Sequence, residues 1–180
     1  KLSTKPEVFK PTVTNLIKDK KTDEEKIKSV FYWVQDNIRY IAYEDGIAGF
    51  KPDDAQNVFE KKYGDCKGMA NLTKEMLKVA GYDARLTWIG TRQILYDYSI
   101  PSLAVDNHMI CTVILNDKKY FLDATEDNIP LGDYAERIQN RQVLIENGDK
   151  YILDKVPEFD KARNLEQHNY HVKINGELLE

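Results

Sequence analysis

At Gly81 the apolar period of the chain changes, and that change limits the fold more than any other feature. Before it, apolar side chains recur every three or four residues. After it, they alternate or run together in short blocks bounded by turn residues. The clearest helical pattern starts at Thr22, which with Glu25 three residues on forms a capping box. It continues through Ile27, Val30, Phe31, Val34, Ile38 and Ile41, so a helix over residues 23–41 with one buried face is expected. Trp33 and Tyr40 lie off that stripe and need other partners.

A second helix is expected over residues 66–80, with Met69, Leu72, Met76, Leu77 and Ala80 on one face and Gly81 as its stop. Between the two, Gly46, Gly49 and Pro52 mark a loop, and Asp53 or Asp54 caps a short helix through about Lys62. Residues 1–21 carry two prolines and weak periodicity, so they read as an arm with one short helix near residues 13–18. Beyond Gly81, strands are expected over residues 85–91, 108–115 and 120–124, with a turn at residues 116–119. One more hairpin, 142–145 with 151–153, turns around Asn147-Gly148. Helices first and an antiparallel sheet afterwards make an α+β fold, the N-terminal helices packing on the sheet. The core is assigned to residues 22–165, and residues 166–180 to a terminal strand that begins a following domain. The chain starts at Lys1 without a Met and reads as a piece of a longer product.

Composition excludes several classes. With 26 basic against 30 acidic residues, the net charge is −4, which is the wrong balance for a nucleic-acid surface. The Lys runs at residues 18–21 and 61–62 are flanked by acids and read as solvated helix faces. No apolar stretch approaches the roughly 18 residues of a membrane span. Two cysteines, Cys66 and Cys111, do not make a disulfide framework in a domain of 180 residues.

Cys66 is the residue around which chemistry gathers. In "YGDCKGMANL" it opens a helix, where the positive end of the macrodipole and first-turn N–H groups favour a thiolate and can receive an oxyanion. Asp65 opposes this unless it turns away as a cap. Only three histidines exist, and two of them, His168 and His171, lie in the terminal segment. That leaves His108, which opens an apolar strand, as the candidate base. Fifteen residues later Asp123 interrupts an otherwise buried strand, and a buried acid wants a cationic or N–H partner. A two-residue turn at Asp117-Lys118 places Asp123 opposite Thr112, on the same face as His108. In that register the pair is separated by roughly 13 Å along the strand, so the reading supports a shared face and not a contact. "HNYH" with Glu166 has metal-like spacing, but on a strand its two histidines point to opposite faces, so no metal or cofactor is expected. Cys111 takes the face opposite His108 and is read as core.

Taken together, "YGDCKGMANLTKEMLKVAGYDARLTWIGTR" and "DNHMICTVILNDKKYFLDAT" resemble the bacterial branch of the transglutaminase-like superfamily. That branch has G-D-C at a helix start, a His opening a hydrophobic strand, and D-x-T closing the next one. The upstream "YWVQDNIRYIAY" is similar to the segment that precedes the cysteine there, and the likeness covers roughly residues 22–150. The resemblance implies a papain-like fold and a triad of Cys66, His108 and Asp123, in which an acyl-enzyme forms from a peptide or isopeptide amide and water or an amine resolves it. It also implies a protein or peptide substrate, neighbouring domains, export to the periplasm or cell surface, and a polar or aromatic oxyanion donor near the upstream helix end, for which Gln35, Tyr40 and Tyr43 are candidates. Gly68 and Met69 depart from many relatives, so substrate preference does not carry over. The family includes inactive copies, so the alternative is a binding or scaffolding module of a multidomain protein.

Overall fold

Residues 2–43, 45–160, 162, 166–176 and 178–179 are described by the computed structural model. Four α-helices come first among these residues: α1 (Lys10–Ile17), α2 (Asp23–Asn37), α3 (Ala55–Lys61) and α4 (Cys66–Val79). Two short strands are interleaved with them, β1 (Arg39–Tyr40) and β2 (Tyr63–Gly64). Then follow β3 (Asp83–Ile89), β4 (His108–Leu115), β5 (Lys118–Leu122), β6 (Gln142–Asn147) and β7 (Lys150–Lys155). These five form one antiparallel sheet in the order β5-β4-β3-β6-β7. The expected α+β architecture, helices on an antiparallel sheet, is the one the chain adopts.

The capping box at α2 forms as read. Thr22 Oγ1 accepts from Glu25 N at 3.1 Å, and Glu25 Oε2 accepts from Thr22 N at 3.0 Å. The helix ends at Asn37 and not near residue 41, because Ile38 turns extended and β1 pairs in parallel with β2. Arg39 N donates to Lys62 O and Ile41 N to Gly64 O, each at 2.9 Å. Ile41 is consequently exposed. Apolar period cannot detect this, since a backbone pairing two dozen residues away decides it. The pairing ties the end of α2 to the residues just before Cys66. Trp33, off the buried stripe, stacks on Phe59 at 5.2 Å, with Lys62 Nζ 4.6 Å from its ring centre.

The sheet is covered on both faces, which explains why β4 is buried from His108 through Val113. On the helix face Ala84, Cys111, Val113, Tyr120 and Leu122 meet Val30, Val34, Met69, Leu72 and Met76. Phe9 and Val13 join that core from the N-terminal stretch read as an arm. On the opposite face Ile89, Ile110, Phe121, Val143 and Ile145 are closed over by Tyr134, Ile138 and Val156. Cys111 is fully buried in the first core, as its strand parity implies.

The β4–β5 turn corrects the register expected above. The turn residues are Asn116 and Asp117, with φ of 49° and 64°, so both adopt the left-handed conformation of a type I′ hairpin turn. Leu115 pairs with Lys118 and Cys111 with Leu122. Moving the turn back by one residue shifts the pairing by two. Asp123, the residue after β5, therefore falls next to Ile110 rather than Thr112, and the 13 Å separation from His108 disappears.

Gly90, directly after β3, permits a close approach that matters for His108. A Cβ there would lie 2.1 Å from Val105 O, in the segment that leads into β4. At the far end, β8 (Ile174–Asn175) pairs with β9 (Leu178–Leu179) as a two-strand sheet of its own. His168 and His171 lie outside any strand, contrary to the terminal strand expected to carry them.

Leu72 is fully buried between α4 and the sheet. Leu72→Ala is expected to destabilise the domain by about 2–5 kcal/mol, the range for a buried leucine that leaves a cavity. Urea denaturation midpoints of the two proteins measure it; an unchanged midpoint contradicts the assignment of this helix face to the core.

Candidate active site

α4 starts at Cys66 because Asp65 caps it. The carboxylate accepts from Gly68 N at 2.8 Å through Oδ1, while Oδ2 lies 2.6 Å from Lys67 Nζ. The acid beside the thiol is thus turned into the helix cap and paired with a cation, which removes the objection that its position raised. Lys67 also reaches the sulfur, with Nζ 3.9 Å from Cys66 Sγ. Gly68 fits under this cap where a larger residue would crowd it. A Cβ there would lie 3.0 Å from Val58 Cγ2 and 3.3 Å from Asp65 Oδ1.

His108, the first residue of β4, is only 3 % exposed, and so is Asp123. Nε2 of the imidazole lies 2.8 Å from Asp123 Oδ2. Cys66 is near enough to the ring to contribute to raising its pKa. Arg137 Nη2 also lies 3.4 Å from Nε2. The fold therefore brings together all three residues singled out from the sequence.

Burial alone would push the His108 pKa down. The charge and hydrogen bond of Asp123 outweigh it, with help from Cys66, and raise the value to about 9. Burial likewise works to raise the Asp123 pKa, and it is overcome by His108, Arg137 and Thr125, which bring the carboxyl down to about 2. The two shifts describe one interaction, the buried His108–Asp123 pair.

Asp123 is held by partners that sequence spacing did not reveal. Thr125 donates to Oδ1 from its hydroxyl at 2.7 Å and from its amide at 3.2 Å, which gives D-x-T a physical reason. Arg137, on the 3-10 turn Glu136–Ile138, donates to Asp123 Oδ2 at 3.0 Å and to Thr125 Oγ1 at 2.7 Å. Its Nε pairs with Glu126 at 2.7 Å as an ion pair, without the alignment of a hydrogen bond. Gln35 has a different role from the oxyanion donor considered above. Its amide donates to Glu126 O at 2.8 Å and ties α2 to the loop following Asp123. Tyr40 and Tyr43 are exposed.

A cleft of about 700 Å³ opens onto Cys66 and Lys67. Its walls are Phe50, Trp88 and Leu144, with Asp106 and Asn107 contributing polar groups beside His108 in the chain. Cys111 does not reach it, and burial pushes its thiol up to about 12. His168 pairs with Glu166 at 2.6 Å on the surface and stacks on Tyr170. Among the described residues no group of three His, Cys, Asp or Glu side chains is placed to hold a metal ion.

The model of the transglutaminase-like superfamily matches residues 10–122, well over half of the chain. The protein belongs to that superfamily. No curated protein sequence matches it significantly. Among solved structures, a proposed protease from Parabacteroides distasonis is similar at TM-score 0.63 and 16 % identity, over 86 % of this chain and 28 % of that one. A proposed cysteine protease from Cytophaga hutchinsonii follows at 0.53 and 14 %, over 67 % of this chain and 38 % of that one. A structure described as a TGase gives 0.50 and 16 %, over 73 % and 34 %. At these identities the likeness is one of fold. The chain spans roughly a third of the length of each.

The shifted pair predicts a pH dependence of stability. His108, raised from 6.5 to about 9, contributes stability that is full below 6.5 and is lost as pH rises through 9. Asp123, lowered from 3.8 to about 2, contributes stability that is full above 3.8 and is lost as pH falls through 2. The stability difference between the wild type and Asp123→Asn is therefore expected to be widest between about pH 4 and 6.5 and to shrink towards pH 9. Urea midpoints at pH 5, 7 and 9 read this directly; a difference that stays constant across the three contradicts the buried pair.

Proposed function

We propose that this domain carries out cysteine-dependent chemistry on amide bonds of peptides or isopeptides, through a triad of Cys66, His108 and Asp123. The observation that supports the reading is the buried His108 ring, 2.8 Å from the Asp123 carboxylate and near enough to Cys66 to feel it. An imidazolium fixed in this way has a use at neutral pH beyond packing, because it stands ready to give a proton to a leaving amine.

In the proposed reaction the Cys66 thiolate attacks the amide carbon, a C–S bond forms and the carbonyl electron pair moves onto oxygen. Collapse of the tetrahedral intermediate breaks the C–N bond, and His108 delivers its proton to the departing nitrogen. The neutral imidazole then takes a proton from water or an incoming amine as that nucleophile attacks the thioester. Acid or transferred amide leaves, and the thiolate–imidazolium pair is restored. Asp123 holds the ring orientation and stabilises its charge throughout, as the acid of such triads does. Family membership and the proteases of similar fold support this reading. The apolar walls of the cleft suit an acyl donor with apolar side chains near the scissile bond.

The test is alkylation of Cys66 by iodoacetamide near pH 7, followed by mass spectrometry. His108→Ala is expected to slow the reaction about tenfold or more, and Asp123→Asn to slow it with the fold retained. If the wild type and His108→Ala react alike, Cys66 is an ordinary buried thiol and a binding module takes the place of an enzyme.

A further inference from the structure

Lys67 is in the wrong place for a lysine that serves only the fold. It occupies the first turn of α4, where the positive end of the helix macrodipole disfavours a cation. It is also 2 % exposed, and burying an ammonium carries a desolvation penalty that only excellent geometry offsets. The cap does not require it, since Asp65 Oδ1 already accepts from Gly68 N. Where a residue breaks local rules at a site lined for chemistry, function is the first place to look for the compensation.

The geometry points to Lys67 as the side-chain donor that stabilises the oxyanion formed on a carbonyl attacked by Cys66; this rests on the proposed acyl chemistry. Lys67 Nζ lies 3.9 Å from Cys66 Sγ as a donor, is held there by Asp65 at 2.6 Å, and borders the cleft in which a carbonyl would sit. In the resting site the ammonium faces the sulfur. When sulfur bonds to the carbonyl carbon, negative charge leaves it for the carbonyl oxygen, which is then about 3 Å from the sulfur and within reach of the same ammonium. On collapse the electron pair returns from oxygen to carbon, the bond to the leaving group breaks, and Lys67 has neither gained nor lost a proton. Gln35, committed to the loop after Asp123, is not placed to do this.

Two reagents separate the oxyanion role from a structural one. Iodoacetamide alkylates sulfur by displacement at a saturated carbon and creates no oxyanion. p-Nitrophenyl acetate acetylates it through a tetrahedral oxyanion and releases p-nitrophenolate, which needs no proton from His108. Both rates are read at Cys66 by mass spectrometry, in the wild type, Lys67→Met and the double variant D65N/K67M. The double variant retains a capping side chain and leaves no lone buried charge. Acetylation is expected to fall about 10²-fold in both variants, at least ten times more than alkylation. If the two rates fall by the same factor, or neither falls, the oxyanion role is overturned. A wild-type Cys66 that alkylates only at the rate of His108→Ala and is not acetylated overturns the enzyme reading, and this one with it.

Discussion

Two ionisable side chains, His108 and Asp123, are each removed almost completely from water, and neither charge is tolerable there alone. A buried carboxylate without a partner shifts its pKa or unfolds its surroundings, and a buried imidazole ordinarily gives up its proton. At 2.8 Å each removes the other's penalty, and Thr125 and Arg137 supply the further donors that the acid needs. The rest of the site is arranged around this pair. α4 brings Cys66 to the ring, and the Glu136–Ile138 turn, anchored by Ile138 in the second core, carries Arg137 to the acid. Gln35 fastens the loop after Asp123 to α2, and the β1–β2 pairing fastens the end of α2 to the residues before Cys66. The same helix therefore braces both ends of the site.

Much of this was legible in the residues. The stripes from Ile27 and from Met69 placed α2 and α4, and the strand blocks after Gly81 gave the sheet to within a few residues. Cys66, His108 and Asp123 stood out only together, as G-D-C, a His opening a strand and D-x-T in order, since each alone has an ordinary packing explanation. What failed was a distance. Reading the β4–β5 turn one residue late moved Asp123 two places along the strand, because every residue of shift in a hairpin turn counts twice in the pairing. The end of α2 was overrun for a related reason, since the pairing of Arg39 with Tyr63 is decided by tertiary proximity and leaves no mark on local period.

The partners of the triad were the least legible part. Arg137 lies fourteen residues beyond Asp123 on a turn with no motif, and only the folding of the second core over the sheet brings it there. Lys67 is visible in the sequence only as the residue following the cysteine, with nothing in its spacing to give it a role. Its meaning depends on burial, which a lysine's sequence context almost never announces. Asp65 illustrates the same point: next to the thiol it looked adverse, and as a cap paired with Lys67 it becomes part of the support.

The central claim is that His108 is an imidazolium held by Asp123 throughout the neutral range. A ¹⁵N-edited NMR titration of the His108 ring measures this directly. The account predicts that both ring nitrogens remain protonated through pH 7 and that the ring titrates near 9. A ring that loses its proton around 6.5, the value of an unperturbed histidine, contradicts it.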